Sequence, residues 1–307
     1  MNLQTANCAR LKKLIVTADD FGLTRRVNEA IEEAHRDGIV TTASLLVNGR
    51  AFDSAVEMLK NNPRLDAGLH LNLTEGRSVS AHEDIPSLAG ETGFSYHHPV
   101  NLMVALFRHD VRLADVEKEI RAQLQRALGA GIRISHVDGH KHVHVIPQVF
   151  GLVCRIASDY GIRAVRSTVE KAPKLYSLLT RNFGSSLEIL KQYCFGKVLS
   201  GTFILARLGN ARYGLRTPLG LYGISQTGFL DLQTFAHIVS RMPDGVSEVM
   251  CHPGYVDEDL MRTPTRLHFQ RERELKMLTA REIRDLLENA GVVLATYKDL
   301  EDCGNRI

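Results

Sequence analysis

No run of about 18 apolar residues occurs anywhere in the chain, so no membrane span is implied. The first residues, "MNLQTANCARLKK", lack the apolar core of a secretory signal. Excess charge of one sign is missing as well. The net charge of +3 is too small to argue for a nucleic-acid partner. The five cysteines (Cys8, Cys154, Cys194, Cys251, Cys303) are odd in number and far apart, and no CxxC pair exists. They read as reduced thiols of a cytoplasmic protein. Two catalytic signatures are absent too. "TADDFGLT" has one glycine where a phosphate loop after the first strand needs several, and no GxSxG nucleophile elbow occurs.

What is present is ordinary globular material, 44% hydrophobic and 24% charged over 307 residues, enough for one large core. Short apolar runs alternate with helical periodicity. "KLIVTA" (13–18) reads as a buried strand, and a helix capped by Thr24 follows, with Val27, Ala30, Ile31 and Ala34 as its apolar stripe. Further strands are expected in "IVTTASLLVN", "LDAGLHLNLT", "IRISHVD", "IRAVRS", "SEVMCHP" and "VVLATY". Nearly all are separated by helices, among them one that starts at Pro147. Repeated βα units demand a parallel sheet with right-handed crossovers. Seven of them can close into a (β/α) barrel, with an open doubly wound sheet as the rival. Residues 75–110 and 167–228 do not fit the repeat and read as insertions into a single domain spanning 1–307. Lids, substrate walls or the surface of a homodimer are the roles open to them.

The chemistry collects at the carboxyl ends of the strands. The first ends in Asp19–Asp20, the third carries His70, the fourth runs into His136, Asp138 and His140, and the sixth ends at His252. In parallel α/β folds that is where ligands bind. One Asp with two His is a ligand set for a divalent metal, leaving a fourth position for water. A spare carboxylate and a spare imidazole then cover proton transfer. Cys251 adjoins His252, but neighbours on a strand face opposite ways, so a Cys–His dyad is not expected.

Four ordered blocks, "LIVTADDFGLT", "GLHLNLTEG", "HVDGHKHVHVIPQVF" and "CHPGY", resemble the YdjC-like carbohydrate deacetylase family, which includes the chitooligosaccharide deacetylase. The resemblance implies a distorted seven-stranded (β/α) barrel of the polysaccharide-deacetylase type, one divalent metal ion (zinc or magnesium) and hydrolysis of an N-acetyl group from an amino sugar. Carried over by position, it implies Asp20, His70 and His140 as metal ligands, Asp19 as catalytic base and His252 as general acid. "ADDFG…VNEAIEEAHRDGIV" is similar to the hopanoid-biosynthesis branch of the family, which implies a glucosamine-bearing lipid. Soluble oligosaccharide and glycolipid headgroup therefore both stand as substrates.

Asp19 and Asp20 are adjacent, so they can share a site only if the strand has ended and the chain is turning. Asp19 would otherwise cap the following helix. His136, Asp138, His140, His142 and His144 share one face only while the chain stays extended. Asp138 is expected to hold a ligand imidazole in one tautomer, His144 to line the substrate cleft and His136 to be core. Tryptophan is absent, which leaves Phe94, Tyr96, Tyr222 and Tyr255 for stacking on a sugar. Two rival functions fit the same residues: a two-metal hydrolase of the phosphoesterase kind, using the surplus histidines, and a carbohydrate-binding barrel without turnover.

Overall fold

The structure, a computed structural model, describes residues 11–171, 186–300 and 305–306. Cys8, Cys303 and part of the second insertion lie outside them. The described strands are β1 (Lys12–Phe21), β2 (Thr42–Leu45), β3 (Asp66–Leu71), β4 (Ala89–Gly90), β5 (Gly93–Phe94), β6 (His136–Gly139), β7 (Ala164–Val165), β8 (Arg216–Thr217), β9 (Leu221–Tyr222), β10 (Gly245–Cys251), β11 (Val292–Ala295) and β12 (Asn305–Arg306). The helices are α1 (Arg25–Arg36), α2 (Phe52–Asn61), α3 (Pro99–Phe107), α4 (Leu113–Gly129), α5 (Pro147–Asp159), α6 (Ser186–Leu208), α7 (Leu232–Arg241), α8 (Glu258–Met261), α9 (Phe269–Thr279) and α10 (Arg281–Asn289).

All of the anticipated strands are there. The main sheet runs β12-β8-β7-β6-β3-β2-β1-β10-β9, parallel throughout except where β12 meets β8. Past β7 the chain reaches β9, where Glu170 bridges Leu221 and the Leu221 amide donates to Val169 O at 3.0 Å. The sheet thus curls back on itself as a distorted barrel. Its seven staves are β1, β2, β3, β6, β7, β9 and β10. The expected seventh stave, β11, plays a different part. It pairs with Lys12–Ile15 of β1, on the edge that β2 takes over from Thr17 onward.

Alternation along the staves sorts the residues. Leu14, Val16, Ala18, Ala43, Leu45, Leu69, Leu71, Val137 and Val165 belong to the main apolar cluster, packed under the helices. The opposite face points inward. There Ile15, Ala164, Val246 and Ala295 form a small apolar floor with Tyr297 and Leu300. Above it the interior is polar: Thr17, Asp19, Ser44, His70, His136, Asp138, Arg166 and Glu248 are all buried. A barrel interior is filled by side chains in layers, and here the upper layers are the site.

Local rules hold the helices in place. Thr24 accepts the Val27 amide at 3.2 Å as the cap of α1, whose stripe Val27, Ala30, Ile31 and Ala34 is buried. Asp19 is therefore not the cap. Pro147 opens α5. The 75–110 insertion is tied down rather than loose: Glu119 of α4 accepts the Val79 and Ser80 amides, and Asp115 accepts that of Ser87. Among the described residues no helix is long and apolar enough to cross a membrane.

Candidate metal centre and active site

The two adjacent aspartates share the site because β1 bulges, not because it ends. Its register with β2 shifts between Ala18 and Phe21, and Asp20 has φ 66°. Aspartate is among the few side chains that tolerate the left-handed region. One irregular residue turns both carboxylates inward. They have different partners. Both oxygens of Asp19 accept from Arg166, at 2.7 and 2.8 Å. Asp20 Oδ1 lies 3.0 Å from His140 Nδ1 and 3.6 Å from His70 Nε2, and its Oδ2 accepts from Arg271 Nη2 at 2.6 Å.

Asp20, His70 and His140 each aim one ligand atom at the others, all within 4.8 Å. The remaining ring nitrogens are engaged. His70 Nδ1 lies 2.9 Å from Asp138 Oδ1 and His140 Nε2 lies 2.8 Å from Glu75 Oε2. If each donates to its carboxylate, a lone pair is left on His70 Nε2 and on His140 Nδ1, both facing Asp20. The donor set therefore fits a divalent ion. The surrounding field also favours positive charge. Burial alone would lower His70, but Asp138, Asp20 and Asp19 push it up to about 10. Burial is likewise outweighed at His140 by Asp20 and Glu75, and its pKa rises. Burial works against Asp20 too, yet Arg271 and the two imidazoles hold it well below the usual carboxylate range.

The wider shell was only partly foreseen. Asp138 does hold the His70 ring, and also accepts from Ser44 Oγ at 2.7 Å. Arg166, just beyond β7, joins three carboxylates: Asp19, Asp138 at 2.6 Å and Glu248 at 3.0 Å. Sequence reading passed over it: "IRAVRS" carries two arginines, Arg163 and Arg166, and only the closed ring sets the second apart. Glu75 was missed likewise. Asn72 Oδ1 accepts the Thr74 and Glu75 amides, both at 3.0 Å, in a turn that "NLTEG" spells out. That turn points Glu75 at His140 and at the ammonium of Lys141. Arg271 and Glu274 arrive from α9, where the charge-rich "FQRERELK" looks like a solvated face.

The other histidines separate. His136 is core: its ring stacks on Tyr297 with centroids 3.5 Å apart and covers Gly68. The extended pattern stops at Gly139, because Lys141 and His142 have φ 51° and 59°. His142 reaches the cavity wall. His144 does not. It is fully buried, 3.3 Å from the Arg166 carbonyl, behind the site rather than in the expected cleft. Tyr255 is also misplaced by the expectation, since it lies under Arg26 and bonds Glu33 on the outside of α1. His252 does reach the cavity, and its amide donates to Glu274 at 2.6 Å. Burial lowers the His252 ring to about 4 and raises the Glu274 carboxyl to about 7. Cys251 faces the apolar cluster, as strand alternation requires.

A cavity of about 540 Å³ opens onto Asp19, Asp20, His70, His140 and His252. Its walls come from the two insertions, His98, Pro99 and Val100 on one side and Lys191, Gln192 and Phe195 on the other, and from residues 264–267 before α9. Phe195 is its only phenylalanine, tyrosine or tryptophan among the described residues, so Phe94, Tyr96 and Tyr222 are not its stacking surfaces.

A family model for YdjC-like proteins matches residues 13–289. The chain belongs to the YdjC-like family. Within reach of this YdjC-like chain are proteins named carbohydrate deacetylase from Brevibacillus brevis (34% identical, covering 94% of this chain and 99% of the relative) and from mouse (34%, covering 94% and 95%). Among solved structures, one described as a putative cellobiose-phosphate cleavage protein from Enterococcus faecalis superposes with a TM-score of 0.74 at 26% identity, over 94% of this chain and 99% of that one.

Proposed function

We propose that this YdjC-like protein is a metal-dependent deacetylase that hydrolyses the N-acetyl group of an amino sugar, oligosaccharide or glycolipid headgroup, with release of acetate. The observation that carries the reading is the Asp20–His70–His140 cluster at the base of an open cavity, with a second carboxylate and a neutral imidazole beside it. The names of the relatives support carbohydrate deacetylation as the activity.

In this reading Asp20, His70 and His140 hold one divalent ion. When bound, such an ion lowers the pKa of a water ligand to near ~7 and polarises a carbonyl oxygen. The protein's own groups do the rest. Asp19, fixed in both oxygens by Arg166, accepts the proton of the attacking water. Asp138 keeps His70 in one tautomer, and Glu75 does the same for His140. His252 passes a proton to the departing amine. Burial keeps that ring neutral at rest, so it takes up the proton within the cycle before giving it away. Phe195 and the two insertion walls bound the sugar. The chain then works as one domain whose insertions shape the pocket.

The two-metal phosphoesterase reading rests on a second cluster, Asp19–His70–Asp138. Arg166 already bonds both of those carboxylates, so a second ion would compete with a buried guanidinium. The test is acetate release from N-acetylglucosamine oligomers and conjugates, alongside metal content per chain. Acetate released by reconstituted protein, lost on chelation and restored by about one equivalent of metal, is the expected result. Two equivalents per chain with phosphate-ester turnover and no acetate would refute it.

A further inference from the structure

Two helices at the cavity mouth are apolar on the wrong side. The inward face of α6 is a regular stripe of Ile189, Gln192, Gly196, Leu199, Phe203 and Ala206, all buried. A second stripe lies on its outward face. Leu187, Leu190, Val198, Leu205 and Leu208 follow helical spacing, and Leu187, Val198, Leu205 and Leu208 are 64–71% exposed. Helix α3 repeats the pattern, with Val100, Met103, Val104 and Phe107 at i, i+3, i+4 and i+7, all exposed and Phe107 at 79%. Of the 19 large hydrophobic side chains exposed among the described residues, these two helices carry eleven. Helices apolar on all sides are normally covered, and patches of this kind mark protein or membrane contacts.

Charge selects between the occupants. After Glu188, which pairs with Arg266 at 3.2 Å, α6 has no Asp or Glu but three cations, Lys191, Lys197 and Arg207. A symmetric pair of chains meeting through α6 would bring like charges together. An anionic bilayer complements them, and apolar side chains with flanking Lys and Arg are the composition of interfacial helices. Both helices pack on the turn His140–Val145, and Val100 of α3 and Lys191 and Phe195 of α6 also line the cavity. The cavity would therefore open toward the surface the helices rest on.

We propose that the outward faces of α3 and α6 form a docking surface for anionic lipid bilayers. This does not rest on the deacetylase reading, because the readout is partition and not turnover. The test is co-sedimentation of the full chain with phosphatidylglycerol/phosphatidylcholine vesicles and with pure phosphatidylcholine vesicles, over a salt series. Partition at least tenfold stronger onto the anionic vesicles, weakened by salt, is expected. Val198→Glu/Leu205→Glu and, separately, Phe107→Glu should each cut it at least tenfold with far-UV circular dichroism unchanged. None of these side chains lines the cavity, so acetate release from a soluble substrate should be unaltered. Absence of partition at low salt, or partition untouched by both variants, overturns the proposal. So does a dimer in light scattering that Val198→Glu/Leu205→Glu converts to monomer, since the surface would then belong to a second copy of the chain.

Discussion

Replacing Arg166 by leucine should be the most damaging single change to the barrel interior. The guanidinium is fully buried and bonds Asp19 twice, Asp138 at 2.6 Å and Glu248 at 3.0 Å. Leucine fills much of the volume but leaves three buried carboxylates without their common cation. Removing one partner of a single buried pair costs about 3–5 kcal/mol. Here three acids are orphaned at once, and those costs are not additive. A loss of at least ~5 kcal/mol is expected, against the ~5–15 kcal/mol that stabilises a typical domain.

The pH dependence separates this account from a packing defect. Burial alone would raise Asp138, and Arg166 and His70 instead hold it well below the usual carboxylate range. Glu248 is already raised by burial, with Arg166 working against the rise. Without Arg166 these folded-state pKa values climb above their unfolded values. A raised acid stabilises the fold below its unfolded pKa and loses that contribution as pH rises through the folded one. The penalty of Arg166→Leu should therefore shrink on acidification, by up to about 2.7 kcal/mol per carboxylate between pH 7.5 and 5.5. Urea unfolding of metal-free wild type and variant at both pH values measures it, and the difference at each pH cancels titrations common to both. Arg166→Lys should recover only part of the loss, because an ammonium cannot reproduce the fork. A penalty below ~1 kcal/mol at pH 7.5, or one that grows toward acid, would refute the reasoning.

His140→Ala should abolish tight binding of divalent metal in elemental analysis, whereas His142→Ala should retain it, because only the first ring faces Asp20. Metal loss in His142→Ala would sink the ligand assignment. Wild-type stability in chelator should fall as pH drops from about 6.5 toward 4, since burial lowers His136 and His144 to about 4 and each stabilises the fold only while neutral. Each contributes up to about 3 kcal/mol of that slope, and a urea midpoint flat over this range would contradict it. Gly68→Ala places a Cβ 2.1 Å from the His136 ring, which Tyr297 backs at 3.5 Å between centroids. A loss of about 1–3 kcal/mol or more is expected in thermal melts, partly relieved by His136→Ala in the same chain.

The strands and the ends that line the cavity were legible because parallel strands are continuous apolar runs and their final residues break the pattern. Asp19, Asp20, His70, His140 and His252 all stood at such breaks, and all five line one cavity. What stayed hidden depends on partners rather than periodicity. Strand β9 is two residues long, too short for any period, and it closes the barrel only through one bridge to Glu170. Arg166 is one of two arginines beside a two-residue strand; that it joins three acids is a property of the closed ring. His144 followed the even-numbered alternation into the wrong place, because Lys141 and His142 leave the extended region before it. Tyr255 failed for a simpler reason. It lies three residues past His252, where the chain has already crossed to α1.

The bulge at Asp20 explains why two neighbouring acids can have separate duties. In an unbroken strand only one of them would face the interior, and the other would lie under the helices with no cation to meet it. The left-handed residue turns both inward but aims them at different cations, Asp19 at Arg166 and Asp20 at Arg271. Arg166 takes both oxygens of Asp19. Arg271 takes only Oδ2 of Asp20, and Oδ1 stays with the two imidazoles. In the proposed reading, the difference between one guanidinium bond and two is what favours Asp20 over Asp19 as the metal ligand. Asp19 keeps its place in the cavity wall with both oxygens oriented by Arg166, which suits the base role proposed for it.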